Sequence, residues 1–264
     1  MNTETQPLHF YKYQGAGNDF ILVDNRSLFF NSDDYEAVSK LCDRRFGIGA
    51  DGLMLLQSHP EFDFEMVYYN ADGMPGSMCG NGGRCIVAFA KQLRLIDRET
   101  NFLAVDGPHY AKISPEGNWV ELQMINVNQI NRDGEAWVLD TGSPHYVLQT
   151  QGLDTLDVYS EGKAIRNNET YGAKGINVNF VEDFGDHLFV RTFERGVEDE
   201  TYACGTGVTA VALAHAAATG KHGHISTPVK VLGGNLRIDF DHHHGQFTGI
   251  FLCGPAELVF TGTR

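Results

Sequence analysis

Short apolar runs punctuated by glycine-rich turns set the rhythm of this chain. FILVD (20–24), LMLLQ (53–57), FEMVYY (64–69), WVELQM (119–124), WVLD (137–140), INVNFVE (176–182), HLFVRTFE (187–194) and GIFLC (249–253) each read as a strand. Helical periodicity is rarer. It predicts a helix over 33–45, with Ser32 as its N-cap, and two more over 82–95 and 207–219. Gly220 is a natural stop for the last of these. That helix, GVTAVALAHAAA, is small and apolar on nearly every face, the pattern of a buried helix. Several strands and one buried helix per half predict a mixed α/β (α+β) fold, with sheets curled around a central helix.

The two halves echo one another. SMCGNGGRC (77–85) and YACGTGVTA (202–210) each place a cysteine before Gly-x-Gly and run into an apolar helical segment. Upstream, FGIGADGLMLL and FEMVYYN precede Cys79 as AKGINVNFVE and HLFVRTFE precede Cys204. Asn70 lies nine residues before the first cysteine, and Glu194 lies ten before the second. Matching order and spacing predict a diverged duplication. Its boundary is expected in the polar stretch 124–131, giving halves 1–125 and 126–255. No short repeat of solenoid period is visible.

Composition narrows the partners. A chain of 264 residues can bury a sizeable core without disulfides or structural metal. A net charge of −14 disfavours nucleic acid and anionic membrane, because nothing would neutralise phosphates. No run approaches the roughly 18 apolar residues of a membrane span. The N-terminal MNTETQPLHFYKYQ lacks the basic and apolar regions of a signal peptide. Five cysteines at irregular spacings then read as free thiols in a reducing cytoplasm.

The paired turns suggest a chemistry. A helix starting at Gly-x-Gly exposes backbone N–H groups, and its dipole favours an anion there. A cysteine at the same place has its thiolate stabilised. Each half therefore offers one activated sulfur beside one carboxylate-sized anion site. Brought face to face, the two thiols would flank one small anion. Inverting a carbon next to a carboxylate needs a base on one face and an acid on the other, and tuned thiols suit both tasks. Helix N-termini would stabilise the charge that develops on the carboxylate. Such a reaction requires no cofactor and no metal.

Other signals are weaker. Cys42, Cys85 and Cys253 sit in apolar contexts and read as core. No C-x-x-C supports a zinc site. GIGADG (47–52) matches a dinucleotide fingerprint but precedes a strand instead of a helix, so it fails its context. DFDHHHG (239–245) reads as a solvated hairpin in preference to a metal site. Glu61, Asp63 and Glu65 alternate as the solvated face of a strand.

Taken together, GAGNDF (15–20), YNADG (69–73), MCGNGGRC (78–85), GINVNF (175–180), FERGVEDET (193–201) and ACGTG (203–207) resemble the diaminopimelate epimerase family, in its order and over nearly the whole chain. The resemblance implies a cofactor-independent enzyme interconverting LL- and meso-diaminopimelate, in lysine and peptidoglycan-precursor synthesis. It implies two pseudo-symmetric domains with the active site in the cleft between them, a final strand (256–264) returning to the first domain, and a homodimer. Cys79 and Cys204 are similar to that family's two acid/base thiols. Gly80, Asn81, Gly205 and Thr206 match the turns that bind the reacting carboxylate. Asn18, Asn70, Asn177, Glu194 and Arg195 match the recognisers of the distal end. Physics supports the last two, since a carboxylate pairs with the distal ammonium and a guanidinium forks onto the distal carboxylate. Two positions depart from the family: Ser143 stands where an asparagine is usual, and Gly52 where a glutamine is.

Three alternatives share parts of this pattern. Proline and hydroxyproline racemases tend to carry Cys-Gly-His at the first cysteine, against Asn81 here. The phenazine-biosynthesis family lacks the cysteines. A binding protein that has lost catalysis would not need both thiols.

Overall fold

The computed structural model describes residues 7–264; the start of the segment read as lacking a signal peptide lies outside them. The chain divides into two compact units. One runs to Val120 and takes in Ala256–Arg264, and the other is Glu121–Pro255.

The first unit contains β1 (His9–Gly15), β2 (Asn18–Asp24), α1 (Tyr35–Cys42), β3 (Gly52–Gln57), β4 (Phe64–Asn70), α2 (Gly80–Gln92), β5 (Glu99–Ala104) and β6 (Gly107–Ile113), and β7 (Trp119–Gln123) leads out of it. The second contains β8 (Ile130–Asp133), β9 (Ala136–Asp140), β10 (Pro144–Gln149), α3 (Val158–Arg166), β11 (Asn177–Asp183), β12 (Leu188–Glu194), β13 (Asp199–Thr201), α4 (Gly205–Thr219), β14 (Gly223–Val231), β15 (Gly234–His243) and β16 (Gln246–Pro255). Finally, β17 (Glu257–Thr263) pairs antiparallel with β1 of the first unit.

Both units repeat one wiring. From β1 to β6 the pairings alternate antiparallel, parallel, antiparallel, parallel, antiparallel. The series β9, β10, β11, β12, β14, β15 alternates in the same way. Parallel neighbours need a crossover, and the four helices supply them. Each sheet wraps its second helix: α2 packs on β1, β2, β3 and β6, while α4 packs on β9 to β12 and β14 to β16. Residues Gly80 to Ala90 of α2 are all buried, as is most of α4. Glycines and alanines on these helices let the strands close in.

Several sequence expectations shift. The first helix starts at Tyr35, and Asp34 caps it by accepting from the Ala37 N–H at 3.0 Å. Ser32 is drawn away instead, its hydroxyl accepting from Gln57 Nε2 at 3.1 Å. The central helices begin directly after their cysteines, at Gly80 and Gly205. Helix α3 buries Val158 and Gly162 and packs Ile165 on the same core, a stripe too short to stand out in the sequence. Glu61 and Asp63 precede β4, where Asp63 accepts from Thr100 and Asn101. The 239–245 segment is a hairpin, but His242 in it is buried against Phe247. Among the described residues no helix is long and apolar enough to cross a membrane, and none of the five cysteines is in a disulfide.

Candidate active site

In the first unit Cys79 is the N-cap of α2, with φ −114° and ψ 126°. Its Sγ lies 3.6 Å from Asn18 Oδ1, at the start of β2. The β1–β2 turn brings Asn18 there through left-handed Ala16 and Gly17. Asn81 Nδ2 donates to the same Asn18 oxygen at 3.4 Å. Buried Arg84 braces this first helical turn, donating to Gly80 O and to Asn81 Oδ1 at 3.2 Å each. The Asn81 side chain is thus tied into the scaffold of the turn. Asn70 ends β4 and is exposed. Gly52 opens β3 with no room for a side chain: a Cβ there would lie 2.5 Å from the Tyr68 ring and from Tyr69 O.

In the second unit Cys204 occupies the same position on α4, with φ −111° and ψ 111°. It is buried, and its Sγ is 3.6 Å from Thr206 Oγ1. Thr141 holds the turn by donating to Thr206 O at 2.8 Å. Asn177 opens β11, donating from Nδ2 to Ser143 Oγ at 2.9 Å and accepting from the Arg195 N–H at 2.9 Å. Arg195 Nη2 also donates to Ser143 Oγ, at 3.3 Å. Ser143, though short, therefore binds both Asn177 and Arg195. Glu194 ends β12 as Asn70 ends β4. Burial pushes its carboxyl above the usual range, against a hydrogen bond from Thr201 at 2.9 Å.

The repeat explains the pairing of these positions. Phe20 lies opposite Gly52 in the β2–β3 register, as His145 lies opposite Asn177 in β10–β11. Asn18 and Ser143 are therefore equivalent, as are Gly52 and Asn177. Within each unit the structure brings the cysteine turn to the ends of these central strands.

Helix capping separates the two central helices from the others. Aspartates cap α1 and α3, whereas α2 and α4 have no side-chain cap bond at all. Neither start is capped by its own N-cap side chain, and in each case that side chain is a thiol. Burial pushes Cys42, Cys85 and Cys253 each up to about 12, which makes them inert core.

Sequence reasoning missed His145 and Asp51. His145 is fully buried, and its Nδ1 accepts from Asn179 Nδ2 at 3.1 Å, since an amide nitrogen only donates. The ring proton then sits on Nε2, which has no hydrogen-bond partner. Burial, helped by the Arg195 charge, pushes this imidazole down to about 3, so it is neutral. A lone histidine in an alternating strand gave no signal. Asp51 was passed over inside a glycine-rich match that did not fit its context.

The profile of the diaminopimelate epimerase family matches residues 10–130 and 137–259. A Flavobacterium psychrophilum protein named diaminopimelate epimerase is 51 % identical over 257 residues, spanning 97 % of this chain and 100 % of its own. One of the same name from Chlorobaculum tepidum is 46 % identical over 94 % of this chain and 98 % of its own. Among solved structures, a phenazine biosynthesis protein of the PhzF family from Bacillus anthracis superposes with a TM-score of 0.79 at 12 % identity, covering 98 % of this chain and 99 % of that one. A hydroxyproline epimerase from Agrobacterium vitis gives 0.68 at 12 % identity, covering 100 % and 93 %. These two likenesses speak for the fold alone. Sequence similarity along nearly the full length goes further: this chain belongs to the diaminopimelate epimerase family.

Proposed function

We propose that this protein is an isomerase that interconverts LL- and meso-diaminopimelate by two-base proton transfer, with Cys79 and Cys204 as the acid/base pair and no cofactor in the cycle. The observation that carries this reading is the duplicated turn. Each unit sets one cysteine at the uncapped N-terminus of its central helix, with matching backbone angles. A thiolate on one face removes the α-proton, and the electron pair left on carbon delocalises into the carboxylate. N–H groups at Gly80, Asn81, Gly205 and Thr206 stabilise that charge. A thiol on the opposite face then delivers its proton to the carbon, and the stereocentre is inverted. The two sulfurs end with their protonation states exchanged.

The distal amino-acid head supplies specificity. Asn18, Asn70, Asn177, Glu194 and Arg195 are its recognisers. Glu194 pairs with the ammonium, and Arg195, already linked to Ser143 and Asn177, presents its guanidinium to the carboxylate. A reducing cytoplasm keeps both thiols active. The apolar residues Leu258, Val259 and Phe260 of β17 are exposed and support a homodimer.

The test is NMR of LL-diaminopimelate with reduced protein in D₂O and no added cofactor. Replacement of the α-proton by deuterium with appearance of the meso isomer is expected. Exchange on proline but not on diaminopimelate would overturn the substrate assignment. Tight binding without any exchange would overturn the enzymatic one.

A further inference from the structure

Asn18 stands between two groups that fix its amide. Its Nδ2 is 2.5 Å from Asp51 Oδ2, and its Oδ1 is 3.6 Å from Cys79 Sγ. A carboxylate only accepts, so the amide nitrogen must face Asp51. The amide oxygen is thereby turned to Cys79 and to Asn81 Nδ2. An amide oxygen also only accepts. Sulfur beside it must donate, which makes Cys79 a thiol and not a thiolate.

Asp51 is itself held rigidly. It pairs with Arg44 Nη2 at 2.8 Å and accepts from the Asp19 N–H at 3.1 Å. Arg44 grips Asp19 through two bonds of 3.0 and 2.6 Å, and Lys12 pairs with Asp19 at 2.7 Å. Burial alone would push Asp19 up, but the hydrogen bonds from Arg44 and Lys12 hold its carboxyl well below the usual range. Further ionisable groups of this unit near the contact are Arg84, turned to Gly80 O and Asn81, the inert Cys85, and Tyr68, whose hydroxyl a Cβ on Gly52 would meet at 2.9 Å.

We propose that Asp51 is a positioning residue of the epimerase: by locking the Asn18 amide it presents Oδ1 to Cys79 and keeps that thiol protonated in the ligand-free enzyme. A turnover that starts from this state uses Cys79 as proton donor and Cys204 as base, and the reverse turnover starts with the roles exchanged. The neighbour of Cys204 fits this division, because the Thr206 hydroxyl can donate to a thiolate. The inference rests on the two-thiol reading above.

The test is the pH dependence of Cys79 alkylation by iodoacetamide in ligand-free enzyme, read by peptide mass spectrometry. Only the thiolate reacts, and the midpoint, unlike the rate, is insensitive to accessibility. Asn18→Ala and Asp51→Asn are each expected to lower the Cys79 midpoint by about one pH unit, or roughly tenfold more thiolate below it. Removing the Asp51 charge would itself favour a thiolate, and that effect would persist without Asn18. Adding Asp51→Asn to Asn18→Ala is therefore expected to shift the midpoint no further. The proposal is overturned by an unchanged midpoint in Asn18→Ala, or by an Asp51→Asn shift that survives in full in the Asn18→Ala background. Asn18→Ala alone decides the matter should Asp51→Asn not fold. No substrate is used, so failure here leaves the deuterium-exchange test of the two-thiol reading untouched.

Discussion

Cys79 and Cys204 differ from the other three cysteines in what surrounds them. Burial raises the pKa of the other three, Cys253 also lying beside the Asp239 carboxylate, whereas these two stand at the starts of helices that have no side-chain cap bond. Cys79→Ala or Cys204→Ala is expected to cut inversion by at least about 10³-fold while far-UV circular dichroism stays unchanged, because one of two obligatory proton transfers is lost. A single variant with near-wild-type epimerisation would sink the two-base assignment. Glu194 makes a second prediction. Its folded pKa is raised, so its contribution to stability is fully present below the unfolded pKa and is lost as pH rises through the folded value. Glu194→Gln should therefore raise the thermal midpoint at pH 8 more than at pH 4. It should also weaken diaminopimelate binding by about tenfold or more, since a charge-assisted contact to the ammonium is lost. Wild-type affinity should fall on acidification as Glu194 protonates, and this limb should flatten in the variant. These residues were legible in the sequence because each sits beside a glycine turn or at a strand end. His145 and Asp51 were not, because their meaning lies in partners far along the chain: Asn179 for one, Asn18 for the other.

At the scale of elements, the central helices need their glycines for different reasons. A Cβ on Gly207 would lie 2.3 Å from Asn179 Oδ1, an atom already held by Thr192 Oγ1 at 3.0 Å. On Gly82 the close contact of a Cβ would be with the flexible end of Met54, at 2.6 Å from Cε, with Phe20 in ordinary contact at 3.6 Å. Gly207→Ala should thus destabilise by roughly 1–3 kcal/mol in urea unfolding and lower kcat, by shifting the start of α4 against Cys204. Gly82→Ala should cost less, since Met54 can swing aside and alanine is about 1 kcal/mol better in a helix. Equal losses would contradict this reading of the packing. The strands of the central pairs were legible from their apolar runs. Helix α3 was not, because its apolar face is only Val158, Gly162 and Ile165, with an aspartate cap at its start.

At the scale of the whole chain, the C-terminal strand belongs to the first unit's sheet. Phe260 packs edge-on to Phe10 at 5.9 Å, and a Cβ on Gly262 would strike the Phe10 ring at 2.5 Å. Deleting residues 257–264 should strip β1 of one of its two partner strands and uncover Phe10. Hydrogen exchange should then lose protection in β1 and β2 far more than in β10 and β11. Uniform loss across both units, or none, would show that β17 does not support the first unit in this way.

Sequence by itself determined the duplication, the two cysteine turns and the family, because these are written in local order and spacing. Glycine before a helix and alternation within a strand are short-range signals that survive without a structure. Tertiary structure alone decided which strands pair in parallel, why Ser143 rather than a longer side chain satisfies Asn177 and Arg195, and how Asp51 reaches Asn18 across 33 residues of chain. Hydrogen-bond partnership depends on distance and direction in space, and the spacing of residues along a chain carries neither.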